Sequence, residues 1–155
     1  MIRPLTADDA QACDAIIAGL PEWFGLDEGI AECAAAVRIQ RGLVAEADGA
    51  VVGFVTHRLH YPQAGELTWL AVARGAQRQG HGRELVEALA GELAGAGVRH
   101  LTVRTLSNRS DDEHYARTRA FYRATGFVPL LDLPPELWDA DNPAMVFVRD
   151  LDSGS

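Results

Sequence analysis

Apolar positions along this chain switch between a period near four and a period of two, and the switches lay out its elements. After a short strand candidate at Ile2 to Leu5, Thr6 followed by Ala-Asp-Asp supplies a helix N-cap and an acidic first turn. Cys13, Ile16, Ile17 and Leu20 recur at helical spacing until Pro21 makes continuation unfavourable, so this helix should end near Leu20. Asp27 can cap a second helix whose apolar stripe is Ile30, Cys33, Ala34 and Val37. Gly42 to Ala47 and Ala50 to His57 read as strands joined at Asp48-Gly49, a strong two-residue hairpin signal. Glu66 to Ala73 is apolar on both faces, as a strand in the centre of a sheet should be.

From about Gly82, residues Leu85, Val86, Leu89 and Leu93 define an amphipathic helix closed by Gly95 and Gly97. His100 to Leu106 is a further strand, and a helix from about His114 to Thr125 stops at Gly126. Phe127 to Leu131 and Met145 to Arg149 complete the strands. The order β-α-α-β-β-β-α-β-α-β-β predicts an α/β protein in which three hairpin-linked strands lie beside one βαβ crossover, giving a mixed sheet with helices on both faces. Residues 1–151 are expected to form a single domain, with 152–155 as a frayed tail.

Composition narrows the function classes. With 48% hydrophobic and 23% charged residues among 155, the chain is ordinary globular material. A formal charge of -8 repels polyanions, which argues against nucleic acid and slightly favours cationic amines. No apolar run reaches the roughly 20 residues of a membrane span and the start lacks a signal-peptide layout, so no membrane role and a cytoplasmic address are expected. Cys13 and Cys33 sit among small apolar residues, away from metal-ligand or redox spacing; they read as reduced core residues, and no metal is expected.

The chemistry enters at Gln77-Arg78-Gln79-Gly80-His81-Gly82, after a strand and at the opening of a helix. Glycines at 80 and 82 permit positive φ and remove side chains, so consecutive amides can close around phosphate oxygens, helped by the positive end of the helix. Arg78 and Arg83 can add charge-assisted contacts. The same two glycines would also serve a plain strand-to-helix turn. The loop lacks the Gly-Lys-Ser/Thr of nucleotide hydrolases and the GxGxxG of dinucleotide folds.

Gln77-x-x-Gly80-x-Gly82 behind Leu70-Ala71-Val72 resembles the pyrophosphate motif of the GNAT superfamily of coenzyme A-dependent N-acetyltransferases. Ala120-Phe121-Tyr122-Arg-Ala-Thr-Gly126-Phe127 is similar to that superfamily's helix-to-strand segment. With the matching element order, the resemblance covers nearly the whole chain. It implies acetyl-coenzyme A as cofactor, an amine acceptor that is a small molecule or a peptide, and a pantetheine arm paired with the backbone of Leu70, Ala71 and Val72. An N–H of Leu70 or Ala71 would stabilise the oxyanion. Tyr115 stands where many members carry an asparagine that contacts the cofactor, and its hydroxyl can substitute that hydrogen bond.

The resemblance also implies catalytic roles. Glu66, eleven residues before Gln77, matches the catalytic glutamate of some members, and Tyr122 matches the tyrosine that protonates the leaving thiolate. His57 and His60 are rival bases for deprotonating the amine. Trp23, Phe24 and Trp138, with His57, are candidates for the acceptor wall. An exposed edge strand would allow a homodimer. Two other readings stay open at this level: a noncatalytic acyl-coenzyme A binding or sensing module, and an interaction domain without a cofactor.

Overall fold

Asp48 and Gly49 both carry positive φ, 53° and 80°, the signature of a type I′ turn. They connect β2 (Arg41–Ala47) to β3 (Ala50–Tyr61), as the hairpin signal predicted. The computed structural model describes residues 1–20, 27–106, 113–134 and 144–151, and within these nothing of the side chains of 27–29, 106, 114 and 115. The remaining strands are β1 (Ile2–Pro4), β4 (Ala64–Val72), β5 (His100–Leu106), β6 (Val128–Asp132) and β7 (Ala144–Asp150). The helices are α1 (Ala10–Ala18), α2 (Asp27–Ile39), α3 (His81–Gly95) and α4 (Glu113–Ala124).

The strands form one mixed sheet in the order β1-β2-β3-β4-β5-β7-β6. Every pairing is antiparallel except β4 with β5, which are parallel and joined by the crossover helix α3. Two apolar clusters divide the faces. Cys13, Ile16 and Ile17 of α1 and Cys33 and Val37 of α2 pack with Phe54 and Ala71 on one face. Leu85, Leu89 and Leu93 of α3 and Tyr122 of α4 pack with Val55, Leu67 and Val103 on the other. Burial of each fully enclosed leucine stabilises by about 1.5–3 kcal/mol, and truncating Leu89 to Ala would cost about 2–5.

Three local details differ from the pattern reading. The first helix opens as a 3-10 turn, Ala7–Asp9, because Asp9 folds back to accept the Thr6 N–H at 2.8 Å while its carboxylate grips Arg3 at 2.7 Å. Its α-helical part ends at Ala18, although Leu20 remains buried. In α2 the inward stripe is Cys33, Ala36 and Val37, whereas Ile30 lies at the surface. Among the described residues no helix is long and apolar enough to cross a membrane. Residues 152–155 lie outside the described residues.

Candidate active site

The central parallel pair comes apart. β4 and β5 pair only from Ala64↔His100 to Leu67↔Val103, although β4 runs on to Val72 and β5 to Leu106. The cause lies in β4: opposite Thr56-His57 of β3 the register jumps from Trp69 to Leu67, leaving Thr68 as an extra residue. A bulge of this kind bends its strand and sharpens the twist, which turns the end of β4 away from β5. Thr68 is held there by Thr56 Oγ1 at 2.7 Å and by the Gln40 side-chain oxygen.

Hydrogen-bond parity decides which backbone groups face the opening. Ala73 N–H donates to Val52 O at 2.7 Å, so in an antiparallel ladder the alternate residues Ala71 and Trp69 also spend their backbone groups on β3. Leu70 and Val72 therefore turn theirs to the gap. Of the three residues expected to pair with an inserted chain, Leu70 turns its N–H and C=O to the gap and Val72 its N–H, whereas Ala71 turns neither. The Gln77 side chain donates to Val72 O at 3.1 Å, which ties the glycine loop to the strand end.

Behind the gap, the loop is shaped as an anion cradle. Arg78 and Gly80 are both left-handed, at φ 63° and 88°, and such alternation makes successive amides converge. None of the amides of residues 78 to 83 donates to a backbone acceptor among the described residues, and the first helical bond of α3 is Glu84 N–H to Gly80 O. Six amides without a backbone acceptor, at a helix N-terminus, fit a diphosphate. Gly82 is glycine for a different reason: a Cβ there would lie 3.3 Å from the Phe121 ring. Arg78 is exposed, whereas Arg83 donates to Ala124 O at 3.0 Å and anchors the end of α4. Gln79 reaches back to Gly75 O at 3.4 Å, and both ring nitrogens of His81 are shielded from solvent with no hydrogen-bond partner among the described residues.

At the apex of the gap, on the α1–α2 face, lies a charged cluster. Glu66 is 6% exposed, and its Oε1 is 2.6 Å from His60 Nε2 and 3.2 Å from Arg58 Nη2. Arg104 Nε is 3.8 Å from Oε2. Leu67 and Val103 belong to the α3 cluster, so strand alternation sends their neighbours Glu66 and Arg104 to the opposite face. Glu66 is thus both at the predicted strand and paired. Arg58 and Arg104 were not singled out from the sequence, because only pairing across β3, β4 and β5 brings them to one carboxylate.

The other candidates separate. His57 is buried with Nδ1 unbonded among the described residues, and burial pushes its pKa down, with the Glu92 carboxylate of α3 acting against that shift; it points to the α3 face, away from the Glu66 cluster. Tyr122 is buried among Phe121, Phe127 and Phe147, with ring centroids 5.4, 5.4 and 6.2 Å away. Burial pushes its phenol pKa up. Cys13 and Cys33 are free and buried. Trp23, Phe24, Trp138 and the side chain of Tyr115 lie outside what is described.

Comparison with known proteins shows the family and the fold. Residues 38–129 match the family model of an acetyltransferase (GNAT) domain. Among solved structures, a protein of Desulfovibrio desulfuricans assigned to the GNAT acetyltransferases is similar with TM-score 0.84 at 20% identity, over 98% of this chain and 99% of the other. The ribosomal-protein-S18-alanine N-acetyltransferase of Escherichia coli is similar at 0.77 and 21% identity, over 97% and 93%. An aminoglycoside 6′-N-acetyltransferase in complex with coenzyme A is similar at 0.74 and 18%, over 98% and 97%. These likenesses show the fold. No curated protein matches the chain.

Proposed function

The chain belongs to the GNAT family of acetyltransferases, with acetyl-coenzyme A as the acetyl donor, and from that premise we propose that it acetylates a primary amine of a small molecule or peptide by direct attack within a ternary complex. The observation that carries this reading is the parted end of β4 and β5 beneath a loop whose amides have no backbone acceptor among the described residues. Bound acetyl-coenzyme A supplies a thioester carbonyl for the amine to attack, with thiol as the leaving group. The amides of residues 78 to 83 hold the diphosphate, and the gap-facing groups of Leu70 and Val72 align the arm as an added strand. Leu70 N–H is the donor for the carbonyl oxygen as charge develops on it.

An alkylammonium, with pKa about 10, must lose a proton before its lone pair can attack. Glu66 orients His60 through the 2.6 Å contact to Nε2, leaving Nδ1 to accept that proton directly or through water, so the pair acts as the base. Tyr122, protonated at neutral pH as an ordinary phenol is, gives its proton to the departing sulfur. Val128, Leu130 and Leu131 of the edge strand β6 are exposed, which supports a homodimer through that edge, to be checked by sedimentation.

The test is release of free thiol from acetyl-coenzyme A across a broad amine panel, with mass spectrometry of the product. An amide-linked acetyl group on the acceptor is expected. If the protein binds coenzyme A but no amine releases thiol above background, the transferase reading fails in favour of a sensing module.

A further inference from the structure

The charged cluster at the apex holds two guanidiniums against one carboxylate. Arg58 directs both Nε and Nη2 to Glu66 Oε1, at 3.4 and 3.2 Å, and His60 meets the same oxygen. Among the described residues Glu66 Oε2 faces Arg104 alone, and 3.8 Å is beyond hydrogen-bond length. Among the described residues the Arg104 side chain makes no hydrogen bond, and it is 43% exposed. One cationic fork is left unsatisfied, in a chain whose formal charge is -8.

Position separates this arginine from an ordinary solvated one. Arg104 is the first β5 residue beyond the last β4–β5 pair, so it borders the gap. It stands on a strand, which aims its side chain more rigidly than a loop. It faces the α1–α2 side, opposite the face that carries the N-terminus of α3 and the anion cradle. A donor anchored in that cradle reaches the gap from the α3 side, which leaves the face of Glu66, His60 and Arg104 for the acceptor.

We propose that the acceptor is an amino acid or another small amine bearing a nearby carboxylate, which Arg104 holds with help from Arg58. This rests on the transferase reading above. The fork of five N–H donors matches a carboxylate in two parallel bonds, and the acceptor's amine then lies toward Glu66 and His60. A polyamine meets the same excess guanidinium charge as repulsion, so the local field reverses what net charge alone suggests.

The test compares matched acceptors with the purified full chain and acetyl-coenzyme A: amino acids, their primary amides, and the amines lacking the carboxyl group. The free acids should be preferred in kcat/KM by about ten- to a hundredfold, the effect of one charge-assisted contact. Arg104→Gln should abolish that preference while changing the amides by less than about threefold, with an unchanged Tm; Arg58→Gln should weaken it partially. Amides or polyamines that react as fast as the acids, or an Arg104→Gln loss shared equally by all three series, would overturn the proposal. Thermal shifts by the amino acids in the presence of coenzyme A give a readout without turnover: stabilisation that vanishes in Arg104→Gln supports the site, and none in the wild type overturns it. Turnover of amines without acid preference sinks only this inference, whereas no thiol release from any acceptor sinks the transferase reading.

Discussion

Substituting Gly80 with alanine separates the backbone's role from that of its surroundings. Gly80 sits at φ 88°, ψ 2°, and a Cβ there would meet nothing within 4 Å, so the cost is purely conformational. A left-handed L-residue costs about 1–2 kcal/mol, offset by about 0.4–1 from the stiffer unfolded chain. A net loss of about 0.5–1 kcal/mol lowers Tm by about 1–4 °C for a chain of this size. Binding should suffer far more. If the loop relieves strain by rotating the peptides beside residue 80, at least two amides leave the diphosphate, each worth about 1.5–3 kcal/mol toward a charged acceptor. Coenzyme A affinity measured by calorimetry should therefore fall on the order of a hundredfold or more, with only a small fall in the Tm of the free protein. A Kd within about threefold of wild type would refute the assignment of these amides to the phosphates. Gly82→Ala is the control, since its strain is contact with the Phe121 ring rather than φ.

Further outcomes follow from the same geometry. Tyr122→Phe should lower kcat by about 10²–10⁴-fold, the usual worth of a general acid, and leave coenzyme A affinity within about twofold; an unchanged kcat would remove Tyr122 from the chemistry. Arg3 holds the Asp9 carboxyl down at about 2, so its contribution of about 2 kcal/mol is present above the unfolded value near 4 and is lost as pH falls from about 4 toward 2. Asp9→Asn should accordingly depress Tm at neutral pH and much less at pH 2, as read by melting curves. Burial lowers the His57 pKa, so the unfolded chain takes up its proton first and stability falls as pH drops below about 6.5; His57→Gln should flatten that limb of the stability profile. Burial pushes the thiols of Cys13 and Cys33 up to about 12, so a thiol reagent at neutral pH should label them only as fast as the chain opens.

What the chain determines by itself is local. Hydrophobic periodicity, the Asp48-Gly49 turn and the breaks at Gly95-Ala-Gly97 and Gly126 lay out the elements within a few residues, because each signal acts over one turn or one strand. The glycines at 80 and 82 mark the cradle for the same reason: left-handed backbone and close approach to Phe121 are tolerated there because a side chain is missing. Register decides the rest, and register joins residues far apart in sequence. The extra Thr68 in β4 has no local signature, yet it sets where β4 leaves β5 and the faces of the residues beyond it. Ladder parity, settled by β3, gives Leu70 and Val72 to the gap and withholds Ala71. Three neighbouring strands gather Arg58, Glu66 and Arg104 into one cluster while His57, one position from Arg58, turns to the opposite face. A strand's side-chain period is two, so a single-residue shift in pairing exchanges its faces, and the tertiary structure alone chooses between the two.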